Sequence, residues 1–147
     1  MKISYILEKN DVTGYSAMDE KKAPCKKVLV VDDEPDLRLL LKIVLEKHDY
    51  KVLEAEDGEK ALDLLAKDKN CEIFCVITDY LMPKMNGLEL CEVLRNEARF
   101  RHLHGIFLIT AHLDKDRFDS ARCFDEKFYK PLDFNTLVTK VTVCSSS

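Results

Sequence analysis

At 147 residues, with 46% hydrophobic and 34% charged residues, the chain is long enough for one domain with a buried core. Its formal net charge of -4 is spread over interspersed acidic and basic residues, which predicts neither a nucleic-acid-binding tract nor an acidic disordered tail. No apolar run approaches the roughly 20 residues of a transmembrane helix. The short run ISYIL near the start is followed directly by charged residues, unlike a secretory signal. We therefore expect a cytoplasmic protein that acts neither on nucleic acid nor in a membrane.

Six cysteines raise the question of disulfides or a metal centre. A chain with a core of this size does not need covalent cross-links, and free cysteine is among the most often buried residue types. Cys71 and Cys75 have neither a histidine nor a second cysteine pair beside them, which is not the pattern of a zinc site. We therefore expect mostly free thiols packed in the core of a protein from a reducing compartment.

Residues 1–24 lack sustained periodicity, which predicts a flexible N-terminal extension; an added edge strand from Ile3 to Leu7 is the alternative. Lys27–Val31 is a continuous β-branched apolar run, the pattern of a strand buried on both faces, and it ends at Asp32 and Asp33. A helix is predicted to follow, because apolar residues then recur at helical spacing.

Strand and helix patterns then alternate to the end of the chain. The further strands are predicted at Tyr50–Ala55, Ile73–Thr78, Gly105–Ile109 and Lys127–Tyr129. Helices are predicted between them, including a short one at Asp114–Ala121, and a last helix follows the final strand. This alternation predicts an α/β domain over residues 25–143, built on a parallel sheet with helices on both faces, and a disordered tail at 144–147.

Polar side chains stand at the predicted ends of the strands. Asp32 and Asp33 follow the first strand, Asp79 the third, Thr110 the fourth and Lys130 the fifth. In a parallel sheet these ends share one edge, where ligands of open α/β sheets bind. Clustered carboxylates repel one another unless a cation lies between them, and Mg²⁺ prefers such oxygen ligands. A lysine, a hydroxyl and a nucleophilic carboxylate complete a site for phosphoryl transfer.

Four motifs together resemble the receiver domain of two-component response regulators: VLVVDDEPD (28–36), ITDYLMPKMNG (77–87), LITA (108–111) and YKP (129–131). The resemblance extends from about Cys25 to Val143. It implies a flavodoxin-like fold, a doubly wound five-stranded parallel sheet of order 2-1-3-4-5 with helices on both faces.

The resemblance also implies a Mg²⁺ site. Asp33 matches the direct metal ligand, and Asp32 matches the acid that holds the metal through water. Asp79 and the backbone carbonyl of Leu81 match the other two protein ligands.

Phosphoryl transfer is assigned by the same resemblance. Asp79 matches the aspartate that accepts a phosphoryl group from the phosphohistidine of a sensor histidine kinase or a histidine phosphotransfer protein. Thr110 matches the hydroxyl that moves toward that group, and Lys130 matches the lysine that pairs with it. The Lys130–Pro131 peptide bond is cis in the family, which an X–Pro bond allows at a cost of about 0.5–1 kcal/mol.

The segment before the last strand departs from the family pattern. Lys127 stands where the family usually has an aromatic residue; it either protects an edge strand from pairing or belongs to an altered partner surface. Cys123 and Phe124 replace the usual Gly-Ala, and the spacing from Thr110 to Lys130 is shorter than usual. His112, two residues after Thr110, is either a solvated loop residue or a group that controls water access to the site.

The resulting hypothesis is a stand-alone receiver that promotes only its own phosphorylation and dephosphorylation and signals through an unidentified partner. A small phosphatase or phosphotransferase working through an aspartyl phosphate is the first alternative. An enzyme of the haloacid dehalogenase type would need an acid two residues after the nucleophile, where this chain has Leu81. The second alternative is a degenerate receiver that binds its partners constitutively.

Overall fold

The β-branched and aromatic runs of the sequence form five strands, and the amphipathic segments between them form helices. The computed structural model describes residues 26–111 and 122–146. The strands are β1 (Lys27–Val31), β2 (Lys51–Ala55), β3 (Ile73–Asp79), β4 (Gly105–Thr110) and β5 (Glu126–Tyr129). The helices are α1 (Pro35–Glu46), α2 (Gly58–Lys67), α3 (Gly87–Asn96) and α4 (Phe134–Ser145), with a short 3-10 helix at Ala98–Phe100.

Three features of the sequence interpretation fall outside the described residues. They are the N-terminal extension with its alternative strand, the short helix predicted at Asp114–Ala121, and His112. Within the described ranges, none of the helices is both long and apolar enough to cross a bilayer.

The five strands form one parallel sheet of order β2-β1-β3-β4-β5, which confirms the predicted doubly wound topology. The central strand β3 is buried along its whole length, as expected of a strand covered by helices on both faces. Val31 of β1 is aligned with Thr78 of β3, and Asp79 is aligned with Ile109 of β4. This register brings the carboxyl ends of the three inner strands to the same edge.

Alternate residues along the strands point to opposite faces, so the sheet separates two apolar cores. One core lies under α2 and α3; its fully buried members include Leu29, Leu90, Ile106 and Leu108. The other lies under α1 and α4; its largest members include Leu41, Leu45, Phe107 and Leu137.

The expectation of free thiols is wrong for one pair of cysteines. Cys91 in α3 and Cys123 in the turn before β5 form a disulfide. Cys71, Cys75 and Cys144 are free, and the last two are buried as predicted. Core size alone does not exclude a disulfide, because two cysteines pair wherever the fold brings their Cβ atoms together.

The predicted disordered tail at 144–147 is also corrected in part. Helix α4 continues through Cys144 and Ser145, because Cys144 packs into the core under this helix with only 8% of its surface exposed. Burial of that side chain favours one more turn of helix over a free end.

The start of α3 is fixed by its cap and by its contact with β3. The Asn86 side chain accepts a hydrogen bond from the Glu89 amide, and the Glu89 side chain accepts one from the Asn86 amide, which makes a reciprocal capping box. Gly87 follows, and its amide donates to the Tyr80 carbonyl at 2.8 Å. A Cβ atom at Gly87 would lie 2.2 Å from the Asp79 backbone oxygen, so only glycine permits this approach.

The substitution Gly87→Ala is therefore expected to destabilise the protein by about 2 kcal/mol, because the Cβ must push α3 away from the backbone of β3. Gly58→Ala is the matched control, since Gly58 also begins a helix but its added Cβ would meet only the side chain of Met85. We expect this control to lose less than about 1 kcal/mol. Urea unfolding of both variants tests the contrast, and equal losses would contradict it.

Candidate functional site

Three aspartates meet at the carboxyl edge of the sheet. Asp32 and Asp33 follow β1, and Asp79 is the last residue of β3. One carboxylate oxygen from each of the three lies within 4.8 Å of the others. Asp32 is 2% exposed and Asp79 8% exposed, whereas Asp33 faces solvent. The cluster is thus two largely dehydrated carboxylates beside an accessible one.

A lysine from the last strand supplies positive charge to this cluster. The Lys130 ammonium lies 3.8 Å from an oxygen of Asp32 and 3.8 Å from an oxygen of Asp79. It also lies 3.5 Å from the exposed Glu34 carboxylate. The Lys130 amide donates to the Thr110 carbonyl at 2.9 Å, which ties the end of β5 to the end of β4. The Lys130–Pro131 bond is cis, as the family resemblance implied.

An open cleft of about 290 Å³ lies over these groups. Asp79, Thr110 and Lys130 line it together with the exposed side chain of Leu81. Its remaining lining residues are Asp33, Glu34 and Ala111. The structure thus brings together all six residues singled out in the sequence, five of them in the cleft and Asp32 beside it.

Burial dominates the electrostatics of the two inner acids. It raises the pKa of Asp32 to about 6, although the Glu34 amide, which donates to the carboxylate at 2.8 Å, opposes the shift. Burial also raises the pKa of Asp79, while Lys130 and the Tyr80 amide oppose the shift. A nearby cation lowers the pKa of a carboxyl group. The single Lys130 ammonium, shared by Asp32 and Asp79, does not fully offset the effect of burial on either pKa.

Two residues of the site were not identified in the sequence. Arg38 in α1 donates from Nη1 to the Asp32 backbone oxygen at 2.6 Å and from Nε to Glu54 at 3.2 Å, so it connects the ends of β1 and β2. Glu34 reaches Lys130 from the first turn before α1. The signal that could have found Arg38 is its spacing, since it lies four residues after Glu34 and hence on the same helix face.

The donor set fits Mg²⁺. It consists of carboxylate oxygens on one side of an open cleft, which leaves room for water and for a phosphate oxygen, as Mg²⁺ sites generally require. The set contains neither a thiolate nor an imidazole among the described residues, so it does not match the usual ligands of zinc.

Comparison with known proteins agrees with this geometry. The sequence matches the response regulator receiver domain family over residues 28–142. It is 41% identical over 85 residues to the chemotaxis protein CheY1 of Helicobacter pylori, in an alignment that covers 57% of this chain and 67% of that protein.

Solved structures show the same fold. The response regulator protein TrrA of Thermotoga maritima, in complex with Mg²⁺ and BeF, is 35% identical, with a TM-score of 0.69 over 81% of this chain and 98% of that one. The signal receiver domain of a Syntrophus aciditrophicus histidine kinase is 28% identical, with a TM-score of 0.74 over 82% of this chain and 90% of that one. The chain therefore belongs to the response regulator receiver domain family.

Proposed function

We propose that this receiver accepts a phosphoryl group on Asp79 from a phosphohistidine, with Mg²⁺ bound at the aspartate cluster, and signals through a partner protein. The observation that carries the proposal is the position of Asp79. It is the carboxylate at the floor of an open cleft that also contains two further carboxylates, a hydroxyl and an ammonium.

The transfer step follows from that arrangement. An oxygen of the Asp79 carboxylate attacks the phosphorus, the P–N bond to the donor imidazole breaks, and its electron pair leaves with the imidazole nitrogen. One Asp79 oxygen is oriented for this step because it accepts a hydrogen bond from the Tyr80 amide at 2.9 Å. Lys130, 3.8 Å from the other oxygen, neutralises charge on the incoming phosphoryl group, and the Thr110 hydroxyl offers it a hydrogen bond.

Asp33 and Asp79 would hold the metal directly and Asp32 through water, and the Leu81 backbone carbonyl is the proposed third protein ligand. When bound, Mg²⁺ supplies positive charge for the phosphoryl oxygens. Arg38 positions Asp32 for this role through its hydrogen bond to the backbone.

Exposed apolar residues on α1 support a protein as the phosphoryl donor. Leu39, Leu40 and Ile43 are 54%, 44% and 45% exposed, which is unusual for side chains of this size. Leu40 lines a groove of about 550 Å³ that shares Asp33 and Glu34 with the cleft over Asp79. A protein presenting a phosphohistidine to that cleft would cover this surface.

The alternative functions are less well supported. A phosphatase of the haloacid dehalogenase type lacks its second acid, because position 81 carries an exposed leucine. A degenerate receiver would have no need to keep all of Asp32, Asp33, Asp79, Thr110 and Lys130 at one edge of the sheet.

Incubation with Mg²⁺ and phosphoramidate is expected to raise the intact mass by one phosphoryl group. Asp79→Asn removes the nucleophile and should abolish the gain, and chelation of Mg²⁺ should slow it strongly. Asp63→Asn is the control, because Asp63 is an exposed acid on α2 away from the cleft. An equal gain in Asp79→Asn would contradict the proposal, and continuous hydrolysis of an unrelated phosphoester would favour the phosphatase.

The raised pKa of Asp32 predicts a pH dependence of stability in the metal-free protein. Folded Asp32 keeps its proton at pH values where the unfolded chain has lost it. Its stabilising contribution is therefore complete below the ordinary value of 3.8 and is lost as the pH rises to about 6. Compared with Asp32→Asn, the wild-type free energy of unfolding should fall by on the order of 2 kcal/mol across this range. Urea unfolding with a chelator present measures both, and parallel pH profiles would refute the assignment.

Leu40→Asp tests the docking surface. With any phosphohistidine protein that phosphorylates the wild-type chain, the rate of transfer should fall roughly tenfold, the cost of one central apolar contact. Phosphorylation by phosphoramidate should not change, because that donor needs no docking surface. Val143→Asp on α4 is the matched control, since Val143 is 64% exposed but lies away from α1's groove. Equal loss with both donors would show damage to the cleft itself.

A further inference from the structure

The disulfide between Cys91 and Cys123 joins two elements that both lead to the phosphoryl-transfer cleft. Cys91 lies in the second turn of α3, which begins against the backbone of Asp79. Cys123 lies three residues before β5, which leads into Lys130. The bond therefore connects α3, which packs on the proposed phosphoacceptor, to β5, which leads into Lys130.

The strand β5 is held in place by fewer contacts than the inner strands of the sheet. It is the edge strand after β4, so its backbone is hydrogen-bonded to a neighbouring strand on one side. All four of its residues are half-buried, whereas β3 and β4 are buried throughout. Its position is set by pairing with β4, by the packing of Phe128 and Tyr129 against the two cores, and by the turn at residues 122–125.

Non-covalent contacts hold the same turn and would persist without the disulfide. Arg95 of α3 donates to the Cys123 backbone oxygen at 2.9 Å and pairs with Asp125 at 2.7 Å. The same Asp125 oxygen accepts a hydrogen bond from the Ile106 amide at 2.8 Å. Reduction of the bond would therefore loosen the turn and leave the fold intact.

The two sulfurs of the pair differ in access. Cys91 is fully buried, but Cys123 is half-buried in a turn at the surface, where a small thiol or disulfide can reach it. A second pair behaves differently. Cys75 and Cys144 are both buried and free, and Cys75 has no exposed surface.

We propose that Cys91 and Cys123 form a reversible thiol–disulfide site, oxidised by a low-molecular-weight disulfide and reduced by a thiol, whose state sets how firmly β5 is held against α3. In the first step the Cys123 thiolate attacks the small disulfide, forms a mixed disulfide and releases one thiol. The Cys91 thiolate then attacks the Cys123 sulfur and releases the second thiol. The chain loses two hydrogen atoms in total, and the small disulfide gains them.

The test uses the unphosphorylated full chain, so it is independent of the proposed phosphoacceptor. The protein is equilibrated in mixtures of oxidised and reduced glutathione, free thiols are alkylated, and peptides are mapped by mass. We expect two of the six cysteines, Cys91 and Cys123, to become protected together, and dithiothreitol to release them without denaturant. Hydrogen exchange at residues 127–129 should be at least about tenfold faster in the reduced form.

Two variants make the exchange result specific. In Cys123→Ser, the half-buried partner is replaced with little change in volume, and exchange in β5 should be fast and insensitive to dithiothreitol. Cys71→Ser replaces an exposed free cysteine and should keep the wild-type response. Any one of three results would overturn the proposal. They are six free thiols at every glutathione ratio, a bond that opens only in denaturant, and a hydrogen-exchange rate in β5 that does not depend on the redox state.

Discussion

The burial of two acids within a cluster of three carboxylates is the constraint on which the rest of this structure depends. Asp32, Asp33 and Asp79 lie within hydrogen-bonding reach of a common centre, and two of them are almost completely shielded from water. Moving these carboxylates out of water costs free energy, and the neighbouring acids add to that cost, so the pKa values of Asp32 and Asp79 are raised. One ammonium, shared between both acids and Glu34, offsets it only in part. A divalent cation bound among these carboxylates would offset the remainder.

The two apolar cores make this concentration of charge possible. Strand β3 is enclosed on both faces and paired on both edges, so its last residue is held where the sheet ends. Gly87 then lets α3 start directly against that residue's backbone oxygen. The backbone around Asp79, the proposed phosphoacceptor, is thus fixed from two sides.

Much of the fold and of the site could be predicted because both depend on local pattern. Apolar β-branched runs that end in acids identify the inner strands, and the parallel alternation brings Asp32, Asp33, Asp79, Thr110 and Lys130 to one edge. The disulfide could not be predicted, because its cysteines are 32 positions apart and only packing brings them together. Arg38 was missed for a related reason, since only packing brings it to its partners, the Asp32 backbone oxygen and the Glu54 carboxylate.

The strand β5 connects the site to the outer surface of the domain. Its position at the sheet edge is confirmed, and Lys127 stands opposite Leu108 of β4. The same strand leads from the disulfide turn to Lys130, which contacts Asp79. The cleft over Asp79 and the α3–β5 surface are therefore connected by one short, half-buried strand.

Borohydride reduction identifies the carboxylate that takes the phosphoryl group. Borohydride converts an aspartyl phosphate into homoserine, which peptide mass mapping locates by position. After phosphorylation in the presence of Mg²⁺, we expect homoserine at position 79 and unmodified aspartate at positions 32 and 33. Homoserine at either of those two positions, or its absence from position 79, would contradict it.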